Sequence, residues 1–415
     1  MVTVPGQESA DLIDVALERA RTRGVAFTRH FNAAGSALPS VGVVRAVVDH
    51  LRREEEEGGY EAAAAVRPQV EEIYDLAARV LGCHRDEIAL VDSASTGLRV
   101  VVDALDVGPG HRFLVSRSTY VSHALHLMSL AARVGAELSV LPTAQDGSVD
   151  LAVLRDLLAQ AGDRRDVVCV AHVPTSSGLV EPVAEIGELA RRHGALYVLD
   201  ATQSVGQLPV DVVAIGCDAL ATTGRKFLRA PRGTGVLYVR RRLIEQLEPA
   251  APDVRGAEWT GDHEWELVPT ARRFETFECS TAARLGLGVA LRELLDRGVP
   301  ATAAHLATMT ERLRSGLAAI EGVTVQDPKA AASAIVTFTV DGAEPDRVKE
   351  RLARHRIKVV TVPAGHGQWD LGFRKLGAVV RASLHVYNDE HEVAAMLDVV
   401  EAIAREARQP AGRTR

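Results

Sequence analysis

The stretch best equipped for chemistry is LDATQSVGQLPVDVVAIGCDALATTGRKFLRAPRGTGVLYV, residues 199–239. Asp200 closes the apolar run ALYVLD, a strand end of the kind where open α/β sheets hold their ligands. Gln203 follows three residues later. After another apolar run, Lys226 stands on a short turn, Thr222-Thr223-Gly224-Arg225-Lys226. An isolated lysine would be surface decoration. Here hydroxyl residues, a glycine and an arginine precede it, a set suited to an anion beside a reactive amine. A neighbouring cation and a dry setting lower the amine's pKa and free it for imine formation.

A sheet edge must position these groups. Near-continuous apolar runs predict strands at 112–116, 137–142, 167–173, 195–200, 218–222 and 234–239, the pattern of a buried, mainly parallel sheet. A helix at 182–193, with Val183, Ile186 and Ala190 on one face and Gly194 at its end, illustrates the intervening elements. Such alternation implies a doubly wound α/β fold. After residue 300 the order changes: a helix near 302–319, the strand ASAIVTFTV, a helix at 345–355, IKVVTV, VVRASLHVY and a closing helix at 389–407. The expected organisation is an N-terminal segment, 1–30, packing with the small domain, a large α/β domain, 31–299, and a smaller α+β domain, 300–415. Residues 408–415 read as a frayed tail, and Glu54–Glu57 as a solvated helix face ending at Gly58-Gly59.

Composition narrows the classes. A formal net charge of −7 gives no reason to expect nucleic acid, and no apolar run could span a bilayer. The amphipathic, acidic N-terminus has no apolar signal core, so a cytoplasmic location is expected. Cys83, Cys169, Cys217 and Cys279 are far apart and form neither a zinc knuckle nor a redox pair; Cys169 and Cys217, in apolar runs, read as core residues. No metal site is expected.

The D-x-x-Q strand end, the T-G-x-K turn and the R-A-S-x-x-x-Y-N element resemble, in order and separation, the class V aminotransferase family of fold-type I pyridoxal-phosphate (PLP) enzymes. This family includes cysteine desulfurases, isopenicillin-epimerase-like proteins and C–S lyases. The resemblance runs from FNAAGSALP at 31–39 to VRASLHVYN at 380–388. It implies that Lys226 carries PLP as a Schiff base, that Asp200 keeps the pyridine nitrogen protonated, and that Gln203 bonds the phenolic oxygen. Ser95 and Thr96, in DSASTGL, would hold the phosphate at a helix N-terminus, or simply cap that helix. Thr223 and Arg225 would complete the phosphate site, with arginine's permanent charge where many relatives have histidine. Tyr120 falls where relatives stack a ring on the cofactor, unless it is a core tyrosine. Thr175 occupies the place of an asparagine near the phenolic oxygen, a departure from the family.

For the substrate, the resemblance makes Arg381 the grip on the carboxylate, the arginine fork matching it bidentately. Asn32 would line the pocket, and Tyr60 would reach into a site, that of its own chain or of a partner. The assembly implied is a homodimer, with Ser280 and Thr281 facing the partner's cofactor phosphate. Desulfurases carry a nucleophilic cysteine on the loop that here reads PAGHGQWDLG, 363–372, with none. This absence, with a likeness to the hercynylcysteine sulfoxide lyase branch, leads to the expectation of β-elimination from a cysteine S-conjugate or its sulfoxide and not of desulfuration by way of a loop cysteine. His366 in that loop is an acid–base group, a substrate contact or an exposed histidine. Transamination, epimerisation or racemisation on the same apparatus, and a fold relative without activity, remain open.

Overall fold

The computed structural model describes residues 13–409; the first twelve residues and 410–415, most of the expected tail, lie outside it. Seven strands form the main sheet: β1 (Ile88–Val91), β2 (His111–Val115), β3 (Glu137–Val140), β4 (Arg165–Ala171), β5 (Leu196–Asp200), β6 (Ala219–Thr223) and β7 (Gly235–Val239). Their order is β1-β7-β6-β5-β4-β2-β3. β7 is antiparallel to both its neighbours, and every other pairing is parallel.

Both faces of this sheet are buried, which explains the unbroken apolar runs. Along β4, Val168 and Val170 enter one core with Leu199, Leu220 and Tyr238. Val167 and Cys169 enter another with Phe113, Val198 and Leu237. Adjacent side chains alternate between two dry layers, as pleating requires. Cys169 and Cys217 are fully buried, as expected.

The second sheet is antiparallel: β8 (Val323–Val325), β9 (Ile335–Val340), β10 (Val360–Pro363) and β11 (Ala378–Ser383), in the order β8-β9-β11-β10. Arg381, on the central β11, pairs with Thr337 on one side and Val360 on the other. The helices Val299–Ala318, Pro345–Arg354 and Glu390–Arg408 supply Leu313, Leu352 and Val400 to its core. Phe31 and Phe227 also belong to that core, so the residue after Lys226 is anchored there. Strand β1 and a hairpin, Ala257–Gly261 with Glu264–Leu267, were not anticipated. The hairpin carries exposed Trp259 and Trp265. No helix among the described residues is long and apolar enough to cross a membrane.

The described N-terminal residues reach both sheets' surroundings. Arg19 pairs with Asp389 and Glu392 at 3.2 and 3.0 Å. Glu18, one residue earlier, is buried against Arg229 at 2.9 Å and Arg297 at 3.3 Å. Arg229 is itself fully buried and takes a left-handed backbone, φ 63°, three residues after Lys226.

Removing Glu18 strands two buried guanidinium groups. Glu18→Ala should lower the unfolding free energy by about 3–5 kcal/mol, whereas Arg21→Ala, at the rim, should change it by under about 0.5 kcal/mol. Urea unfolding monitored by circular dichroism checks this, and near-equal midpoints would contradict it.

Candidate active site

The side chains singled out around Lys226 sit on the C-terminal ends of parallel strands. Thr223 closes β6, and the next residues fold into a tight turn in which Gly224 N donates to Thr234 O at 2.8 Å and Arg229 N to Lys226 O at 3.0 Å. The Phe227 carbonyl accepts from His385 Nε2 at 3.0 Å. His385 Nδ1 accepts from Val386 N at 2.9 Å, which fixes the proton on Nε2. Burial holds this imidazole well below its ordinary pKa, consistent with a neutral ring. The lysine turn is thus tied to β11's flank. His385 lies inside the quoted R-A-S-x-x-x-Y-N element, yet nothing in the sequence distinguished it.

Asp200 ends β5, buried, with its Oδ1 accepting from Thr202 N at 2.9 Å. Gln203 Nε2 donates to Ala34 O at 3.1 Å, while its buried Oε1 has no partner among the described residues. Tyr120 begins the helix Val121–Val134 just beyond β2, and its ring centre lies 5.8 Å from Lys226 Nζ. Ser95 and Thr96 occupy the first turn of the helix Ala94–Asp103, whose cap, Ser93 Oγ, accepts from Thr96 N at 3.1 Å. The opening N–H groups of that helix have no intrahelical partner, which suits an anion. A Cβ at Gly235 would lie 2.6 Å from Thr222 O and 3.2 Å from Ser93 Cα. Glycine there lets β7 pass between the helix start and the turn that bears Thr223. Thr223 Oγ1 donates to Thr234 O at 3.3 Å, and Arg225 to Gly35 O.

Arg381 is buried, and no carboxylate pairs with it among the described residues. Its NH1 donates to Thr175 O at 3.1 Å and Thr175 Oγ1 at 2.5 Å, and its NH2 to Asn32 Oδ1 at 3.3 Å. Nε is buried without a partner. Three residues drawn from distant parts of the sequence therefore meet. Thr175, expected beside the cofactor's phenolic oxygen, accepts from Arg381 through both its oxygens.

The charges here do not balance. Burial, then the nearby Arg225 and Arg381, push the Lys226 amine down to about 7, with Asp200 opposing. Burial raises Asp200, against its Thr202 hydrogen bonds and Lys226. Burial brings Arg381 down to about 10. Two arginines near one lysine, with a single carboxylate opposing at that lysine, favour anionic occupants. The residues present fit PLP: a buried carboxylate for its ring nitrogen, an unsatisfied amide oxygen at Gln203, a neutralisable amine, and a helix start with Arg225 for its phosphate.

Other expected residues lie elsewhere. Tyr60 and Thr281 line a separate cavity of about 580 Å³ with Arg255, Phe277 and Cys279, which none of the residues around Lys226 lines. Ser280 caps the helix Thr281–Arg297, its Oγ accepting from Ala283 N at 3.1 Å. His366 is exposed and makes no side-chain hydrogen bond among the described residues. Sequence reasoning missed Glu181, whose buried carboxyl accepts from Ser118 Oγ at 2.9 Å and Val149 N at 2.8 Å. Burial pushes it up to about 7. No grouping of three or more His, Cys, Asp or Glu among the described residues could hold a metal ion.

Comparison with known proteins places this geometry. A probable cysteine desulfurase of Methanothermobacter thermautotrophicus is 27% identical over 383 residues, 90% of this chain and 94% of the relative. Probable cysteine desulfurase 2 of Mycobacterium leprae is 32% identical over 332 residues, 77% of each. Among solved structures, the apo cysteine desulfurase of Thermococcus onnurineus NA1 has a TM-score of 0.86 at 24% identity, covering 98% of this chain and 100% of that one. A lysine-to-alanine variant of C-DES, with glycine covalently linked to its PLP cofactor, has a TM-score of 0.83 at 22% identity, covering 92% and 98%. These two likenesses carry the fold. The expectation of β-elimination from a cysteine S-conjugate, with desulfuration set aside, is overturned by the curated relatives, which are named desulfurases. The missing loop cysteine removes one sulfur carrier and leaves the lysine, carboxylate and arginine machinery untouched. The model of the family described as aminotransferase class-V matches residues 30–396, and the chain belongs to that family of PLP-dependent enzymes.

Proposed function

We propose that the chain is a cysteine desulfurase that binds PLP at Lys226 and passes the sulfur of cysteine to a thiol supplied from outside its 363–377 segment. The observation that carries the substrate class is Arg381: a buried guanidinium, without an acid partner among the described residues, near enough to Lys226 to help lower its amine. It suits a free α-carboxylate. The sulfur follows from the names of the curated relatives.

PLP, when bound, withdraws electrons from the substrate's Cα. Arg381, seated by Thr175 and Asn32, orients the substrate so that its Cα–H bond faces Lys226. Lys226 Nζ, able to stand neutral near pH 7, takes that proton and later returns one. Asp200 keeps a positive charge on the ring nitrogen, and Tyr120 covers a face of the pocket. The acceptor thiolate attacks the substrate sulfur: an S–S bond forms as the Cβ–S bond breaks, its electron pair stays on Cβ and takes up a proton, and alanine leaves. The acceptor keeps the sulfur as a persulfide. Burial pushes the thiols of Cys83 and Cys169 up to about 12, which makes them poor nucleophiles. The chain works as a homodimer in this reading, with Tyr60, Ser280 and Thr281 facing the second copy.

Holoprotein should be yellow, and Lys226→Ala should lose that absorbance; a colourless protein that PLP cannot reconstitute would contradict the cofactor assignment. With L-cysteine and dithiothreitol, alanine and sulfide should form in equal amounts, at a rate that rises with dithiothreitol and is unchanged in Cys279→Ser. Pyruvate and ammonia in place of alanine, or conversion of the cofactor to its pyridoxamine form, would overturn the reading. Arg381→Ala should raise KM at least about 10-fold, since a charged hydrogen-bonded contact is worth about 1.5–3 kcal/mol.

A further inference from the structure

The segment after β10, residues 364–377, is fastened to the rest of the protein at several points. Leu371 is fully buried with Val362 and Val379. Arg117, in the turn leading to Tyr120, donates to Trp369 O at 3.2 Å and lies 3.8 Å from the centre of the Phe373 ring. Arg374 NH1 donates to Gln326 O at 2.6 Å, and its Nε to Asp370 Oδ1 at 2.7 Å. The other oxygen of Asp370, Oδ2, accepts from Ser176 Oγ at 2.5 Å. A Cβ on Gly367 would come within 3.2 Å of Ser176 Cβ, so the segment lies directly on this turn.

Ser176 follows Thr175, whose two oxygens seat Arg381. The same turn is held on its far side by Asp327, whose Oδ1 accepts from Gly178 N at 3.0 Å and Thr337 Oγ1 at 2.7 Å. Thr337 is the β9 partner of Arg381. The turn is therefore gripped between Asp327, which belongs to the small sheet's surroundings, and Asp370, which belongs to the fastened segment.

We propose that Asp370 is a positioning residue for the substrate carboxylate: through Ser176 it holds the turn on which Thr175 aims Arg381, so that seating of the 364–377 segment and carboxylate affinity are one event. This rests on the reading of Arg381 as the carboxylate grip. The segment then acts as a fixed wall of the pocket, in keeping with a sulfur acceptor that comes from outside.

The test compares Ser176→Ala, Asp370→Ala, their double variant, Asp370→Asn and Arg381→Ala as PLP-loaded enzymes. Ser176→Ala and Asp370→Ala should each raise KM for cysteine about 10-fold, with kcat changed less than about 3-fold and the visible spectrum retained. The double variant should be no worse than Asp370→Ala alone, because the Ser176–Asp370 contact is already lost there. Asp370→Asn, whose side-chain oxygen still accepts from Ser176, should recover most of the affinity. Independently of activity, trypsin should cut after the exposed Lys375 faster in both alanine variants than in wild type. Unchanged KM in Ser176→Ala and Asp370→Ala, while Arg381→Ala raises it, would overturn the proposal alone. Unchanged KM in Arg381→Ala would overturn the carboxylate reading and the proposal with it.

Discussion

Two buried cations, Lys226 and Arg381, and the half-buried Arg225 lie close enough to repel one another, with the carboxylate of Asp200 opposing only at Lys226, and most of the site follows from that imbalance. Charges removed from water must be compensated or neutralised. The lysine answers by giving up its proton near neutral pH, which leaves a base and nucleophile. The arginines cannot do so, and they draw anions instead. PLP brings a phosphate dianion, and an amino acid brings a carboxylate. The same pocket would be a poor place for a neutral or cationic ligand.

Holding like charges together requires anchors outside the pocket. The main sheet supplies one set, since its parallel strands end together and bring Asp200, Thr223 and the turns after β1, β2 and β4 to one edge. The antiparallel sheet supplies Arg381 from a central strand, where paired neighbours on both sides fix its direction. The joint between them is short: Phe227 sits in the second core while its neighbour Lys226 carries the amine, and His385 holds the Phe227 carbonyl. Glu18 reinforces the joint through the buried Arg229.

Much of this was legible from the sequence, for identifiable reasons. Strands buried on both faces produce apolar runs that periodicity detects directly, so β2 and β4–β7 fell within a residue or two of their expected limits. Lys226, Asp200 and Gln203 lie within one stretch, where local spacing carries the chemistry. The Arg381–Thr175–Asn32 cluster depends on contacts across about 200 and 350 residues, which no local pattern encodes; its members were each named, but not their contacts with one another. Ser176 and Glu181 are ordinary polar residues in loops until the fold buries them, and Asp370 is an ordinary acidic residue until the fold sets it against Ser176. The reaction was misjudged because one absent cysteine was weighed above the shared machinery, whereas a thiol acceptor need not belong to the chain at all.

Burial, reinforced by the positive charges of Arg225 and Arg381, neutralises Lys226. Labelling the lysine side chain with ¹³C in the apoenzyme and following its Cε resonance with pH measures its charge directly. The expected midpoint is near 7, moving upward when inorganic phosphate fills the anion site and when Arg381 is replaced by methionine. A midpoint in the ordinary lysine range, indifferent to both changes, would contradict it.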